Sequence, residues 1–160
     1  MKKFVLLVAI LIGMATAADA QPVFRVGGGL IFDGTVYGGG AAVDLPMSDK
    51  PFGITVQGEY YKKSAVTTVP VRVMAIYRAP AGEQADFYFG GGSGLIYSKV
   101  SIGAASASTT KALGTGVAGI NFKASESFGI FGEVGIDRAL TSGAKNNFGA
   151  RVGISFGGAE

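Results

Sequence analysis

Glu59, Glu133, Arg25, Arg72 and Arg151 carry most of the chemistry this sequence offers. Two carboxylates can divide the work of general acid and general base, and arginines can steady a developing negative charge. The rest of the chain argues against that use. It contains no histidine and no cysteine. The commonest general base and the commonest metal ligand are therefore missing, as are a disulfide framework and any thiolate metal site. Glycine triplets at 27–29, 38–40 and 90–92 have the composition of a phosphate loop, yet no Lys-Ser/Thr and no helix follow them. No catalytic, cofactor-binding or metal-binding residue is assigned, and no cofactor is expected. An arginine available to each carboxylate reads instead as a structural ion-pair network: Arg25, Gln57, Glu59, Arg72, Glu133 and Arg151.

These residues share a phase. Eight segments alternate with a period of two, and in each one register is apolar. The apolar registers begin at Phe24, Tyr37, Phe52, Val69, Phe87, Ala112, Phe128 and Phe148 and end at Phe32, Leu45, Tyr60, Tyr77, Tyr97, Phe122, Ile136 and Phe156. The charged network falls in the opposite register, among many glycines. Asp33-Gly34 signals a two-residue turn between the first two segments. Residues 44–51, 78–86 and 123–127 are short polar breaks rich in turn formers. The connections at about 61–68, 98–111 and 137–147 read as longer loops, and "SIGAASASTT" (101–110) as a mobile low-complexity stretch.

With the strands running up and down, aromatics gather at both ends of the apolar face. The lower row holds Phe24, Phe52, Tyr77, Phe87, Phe122, Phe128 and Phe156; the upper holds Phe32, Tyr37, Tyr60, Tyr97 and Phe148. Such rows match the girdles at the two bilayer interfaces of a transmembrane barrel. Their separation of eight to ten residues spans roughly 20–25 Å at a ~40° tilt, the height such barrels show to lipid. The fold expected is an eight-stranded antiparallel up-and-down transmembrane β-barrel. Glycine in its strands permits sharp bending and close backbone approach. Eight strands leave a lumen only wide enough for its own side chains. If Ile136 faces Phe148, Glu133 lies opposite Arg151; if Tyr60 faces Val69, Arg72 lies opposite Gln57 and diagonal to Glu59. Arg25 is left without an evident carboxylate.

Composition agrees with a membrane setting. Hydrophobic residues make up 48% of the 160, and glycines number 27. Lys2 and Lys3, an apolar run from Phe4 to Met14, and Ala18-Asp19-Ala20 have the layout of a secretory signal peptide. The expected division is a cleaved signal helix at 1–20 and a barrel domain at 21–160. The mature chain keeps 12 basic and 10 acidic residues, too even a balance for nucleic acid.

The stretches "DLPMSDKPFGITVQGEYYKKS", "VPVRVMAIYR", "FYFGGGSGLIYS" and "FGARVGISF" give the chain a resemblance to the small eight-stranded outer-membrane barrels, the OmpA/OmpX-like and outer-membrane-protein β-barrel-domain families. The resemblance implies export through the Sec route and insertion by the barrel-assembly machinery into a Gram-negative outer membrane. It also implies a monomer with a non-enzymatic role played through the outer loops. Two features depart from the family pattern: Gly157–Glu160 follow the last aromatic, and the first outer loop is short. The upper rim sets Lys62, Lys63, Lys99, Lys111, Arg138 and Lys145 against Asp33 and Asp137. The lower sets Asp44, Asp49, Glu83, Asp86, Glu126 and Glu160 against Lys50, Arg78 and Lys123. A basic outer rim suits anionic outer-membrane lipid such as lipopolysaccharide. The alternatives are a barrel enzyme acting on lipid, which lacks the histidine such enzymes use, and a soluble secreted barrel holding a greasy ligand, which requires the reverse polarity.

Overall fold

The computed structural model describes residues 21–47 and 50–157. The expected signal segment and residues 158–160 of the C-terminal extension lie outside the described residues. Eight strands follow one another: β1 (Val23–Ile31), β2 (Val36–Pro46), β3 (Phe52–Lys63), β4 (Val66–Pro80), β5 (Ala85–Ile102), β6 (Ala105–Lys123), β7 (Phe128–Ala139) and β8 (Asn146–Gly157). Each pairs antiparallel with the next, and β8 returns to β1 with Phe24 opposite Phe156. Closure removes the unpaired edges that would otherwise expose backbone donors and acceptors to lipid.

The ring is staggered. Starting at Arg78, paired residues lead through Tyr88, Gly119, Glu133, Arg151, Gly29, Gly38 and Tyr61 back to β4 at Thr68. One circuit therefore climbs ten residues along β4, which for eight strands corresponds to a tilt of roughly 40–45°. The tilt brings residues distant in sequence to the same depth.

Polarity is inverted relative to a water-soluble barrel. Phe24, Val73 and Ile154 on the outer face are 41%, 51% and 44% exposed, whereas Arg72 and Glu133 inside are 3% and 4% exposed. The outer aromatics pack across strands. Phe24 stacks on Phe156 at 5.8 Å, and Tyr77 lies 5.2 Å from both Phe52 and Phe89. Such pairs add about 0.5–1.5 kcal/mol each beyond the area they cover.

The upper connections differ from the sequence expectation. The first takes four residues, 32–35, instead of two, with Gly34 and Thr35 both at positive φ (79° and 50°). The stretches 61–68 and 98–111 are not loops but strand, interrupted only by turns at 64–65 and 103–104. "SIGAASASTT" thus forms the tip of the β5–β6 hairpin. Of 137–147, only 140–145 is loop. Hydrophobic alternation fails in these segments because the polarity of the two faces changes, while Thr, Val, Tyr and Ile keep a preference for extended backbone. Below Tyr97 the outer register is apolar. Above it, Thr67, Lys99, Ser101, Ser106, Ser108 and Thr110 occupy that register, and Val66, Val100, Ile102, Ala105 and Ala107 take the inner one.

Candidate functional site

Inward registers of seven strands converge on one polar network. Glu133 is fully enclosed and accepts three hydrogen bonds beside a fourth, ion-pair contact. Gln57 Nε2 (3.2 Å) and Arg151 Nε (2.9 Å) reach its Oε1; Arg25 NH1 and Tyr88 Oη, each at 2.7 Å, reach Oε2. Asp44 likewise accepts three hydrogen bonds and has one further ion-pair contact. Arg25 NH2 (3.0 Å) and Thr55 Oγ1 (2.6 Å) meet its Oδ1, while Arg78 NH2 (2.6 Å) and Arg25 Nε (3.0 Å) meet Oδ2. Glu59 holds Arg151 NH1 at 2.9 Å, Tyr61 Oη at 3.2 Å and Arg72. Arg72 also grips Asp137 with both Nε and NH2.

Followed end to end, the charges alternate: Arg78, Asp44, Arg25, Glu133, Arg151, Glu59, Arg72, Asp137. Four guanidiniums face four carboxylates, so the chain is neutral. Burying one such ion costs several kcal/mol, which close charges of opposite sign offset; Arg78 and Asp137, with one partner each, are the two that keep some exposure. Arg25 also lies 5.1 Å from the Tyr88 ring centre and 5.2 Å from that of Phe131.

Glycine makes room for these side chains. In the circuit described above, Gly119, Gly29 and Gly38 sit beside Tyr88, Arg151 and Tyr61. A Cβ on Gly119 would fall 2.6 Å from Tyr88 Cζ, and one on Gly38 would fall 2.4 Å from Tyr61 Cδ1. Large residues therefore lie flat across glycine on the neighbouring strand. Phe131 covers Gly153 in the same way, 2.8 Å from where a Cβ would stand. A cavity of about 10 Å³ lined by Arg25, Gln57, Glu59, Phe131 and Arg151 has room for about one water.

The structure brings Arg25, Gln57, Glu59, Arg72, Glu133 and Arg151 together and adds residues that the sequence reading placed elsewhere. Arg25 is not unpartnered, because Asp44 and Glu133 both bond it. Asp44, Arg78 and Asp137 are not rim charges; their strands run further than the turn signals suggested, and each lies in the inward register. Tyr61, Tyr88 and Phe131 were missed although the same two-residue phase points them inward. Outside, Phe24, Phe52, Phe87, Phe122, Phe128 and Phe156 are exposed at the lower end, with Tyr77 half-buried between two rings. Phe32, Tyr37, Tyr60, Tyr97 and Phe148 are exposed at the upper end. With Asp137 drawn inside, the upper rim sets six basic side chains against Asp33 alone among the described residues.

No carboxylate oxygen in the network is free to approach a substrate. Every one already accepts at least one hydrogen bond, and the hydroxyls that donate to them, on Thr55, Tyr61 and Tyr88, are all buried. The arrangement suits rigid closure of the lumen.

No family model matches this sequence, and no curated protein matches it. Solved structures do. The N-terminal β-barrel domain of Pseudomonas aeruginosa OprF is similar with a TM-score of 0.67 at 17% identity, over 86% of this chain and 97% of that one. Neisserial surface protein A gives 0.64 at 11%, over 88% and 96%. Ail, the attachment invasion locus protein of Yersinia pestis, in complex with the heparin analogue sucrose octasulfate, gives 0.61 at 13%, over 86% and 98%. At these identities the likeness is one of fold, and the fold is that of the small eight-stranded outer-membrane β-barrels.

Proposed function

We propose that this chain is an integral protein of the Gram-negative outer membrane, a monomeric barrel closed by its own side chains, whose role is non-enzymatic and played at the upper rim. The observation that carries this reading is the pairing of an apolar, aromatic-banded exterior with a neutral interior in which every buried charge has a partner of opposite sign. Only a surrounding of hydrocarbon makes that polarity stable. The saturated carboxylates and the one-water cavity support a plug over a passage or an active site. Export would remove residues 1–20, and the barrel-assembly machinery would insert residues 21–160 as one domain. At the rim, the excess of basic side chains supports attraction to anionic envelope lipid such as lipopolysaccharide. Ail, of similar fold, was crystallised with a sulfated polyanion, which favours the same chemistry here.

The test is membrane fractionation of the expressed chain. A protein that resists carbonate extraction and migrates differently on SDS gels before and after boiling is expected. Release at high pH, with identical migration of both samples, overturns the reading. N-terminal sequencing of the extracted protein should begin at Gln21.

A further inference from the structure

We infer that Lys62, Thr67 and Lys99 form a phosphate-binding site on the outer wall at the membrane boundary, and that it takes the phosphorylated head of an anionic lipid. The inference rests on the membrane reading above and assigns its lipid contact to particular residues.

Lys62 pairs with Thr67 across β3 and β4, and Thr67 pairs with Lys99 across β4 and β5. All three occupy one row. Two strand spacings separate the lysines by about 10 Å at the backbone, with the threonine hydroxyl between them. Both lysines are exposed, and neither ammonium has a carboxylate within salt-bridge distance among the described residues. Two long, flexible cationic stems flanking a hydroxyl suit a tetrahedral anion.

Depth favours a lipid over a dissolved anion. The next outward row down is Tyr60, Val69 and Tyr97, with both tyrosines exposed. The outer register changes from apolar to polar between these two rows. The lysines therefore project sideways at head-group level, with their stems over the ring that marks the interface. The other upper cations are arranged differently. Lys63 donates to the Gly34 carbonyl, Lys111 is in the inner register opposite Ile96, and Arg138 stands between Gly114 and Asn146 without a second cation in its row.

The test uses the full mature chain refolded in detergent micelles and titrated with bisphosphorylated lipid A, with bound lipid counted by native mass spectrometry. Lys62→Gln/Lys99→Gln should weaken binding about thirtyfold, at roughly a factor of five per lysine. Lys111→Gln/Lys145→Gln removes the same charge and should weaken it less than about threefold. Dephosphorylated lipid A should bind the wild type as poorly as lipid A binds the first double variant. Equal losses in both double variants overturn the site, as does no loss in either. Sucrose octasulfate binding as tightly as lipid A, with the same lysine dependence, overturns the lipid source. Heat-dependent gel migration of the same samples separates the two readings. A chain that never forms the barrel defeats the membrane proposal, whereas a well-formed barrel with indifferent lysines defeats this one alone.

Discussion

The β5–β6 hairpin contains two sheets of opposite character joined end to end. From Phe87 to Tyr97 its outer face carries phenylalanine, leucine and tyrosine, and its inner face carries Tyr88, glycine and Ile96. Above Tyr97, serine, threonine and lysine turn outward while Val100, Ile102 and two alanines turn inward. Backbone pairing runs unbroken through the change. Hydrogen bonding thus does not distinguish the two stretches; the medium on each side does. The lower stretch is patterned for oil outside and charge inside, the upper for water outside and a small apolar face over the barrel mouth.

Substitutions that exchange the two patterns test this difference. The largest effect is expected on the inner face below the change. Glu133→Ala leaves Arg25 and Arg151 each short of a buried partner and should lower unfolding stability by about 3–5 kcal/mol in detergent denaturation. On the outer face of one strand, Ala118→Arg, near mid-membrane, should cost about 2–4 kcal/mol. Ser106→Arg on the same strand and face should shift stability by no more than about 0.5 kcal/mol. Refolding of both variants into lipid vesicles across a urea gradient measures the contrast, and equal costs would abolish the proposed boundary. Tyr88→Phe removes one donor from Glu133 and should cost about 1.5–3 kcal/mol in the same assay. Lys145→Ala, in the loop after β7, should leave the midpoint within about 0.5 kcal/mol of wild type.

Much of the barrel can be read from alternation alone, because oil and a packed lumen impose opposite demands on successive residues. Phe24, Val26 and Ile154 follow that rule without exception. Reading fails where the rule reverses or where turn formers intrude. At Ser101–Thr110 the face that meets water carries no apolar register, so the stretch reads as loop although its backbone is strand. Asp44 and Arg78 sit at strand ends next to proline-containing breaks, and Asp137 near an irregular polar loop, so sequence alone places them at the rims. Their inward phase was available, and so was the charge deficit they repair: three arginines against two glutamates is an imbalance that a sealed interior does not tolerate. Tyr61, Tyr88 and Phe131 were obscured by the glycines beside them. An empty-looking register on one strand is the space a ring from the next strand fills.

The alternating charge chain also bears on how the molecule assembles. The first four strands contribute Arg25, Asp44, Glu59, Arg72 and Arg78, an excess of one positive charge; the last four contribute Glu133, Asp137 and Arg151, an excess of one negative. Neither half is balanced until Arg25 meets Glu133, 108 residues away, and Glu59 meets Arg151, 92 away. An arc of strands still open at its seam leaves mismatched ions facing an oily or half-wet gap. Zipping β8 onto β1 cancels them together, so folding should proceed in one cooperative step, with few half-built rings populated along the way.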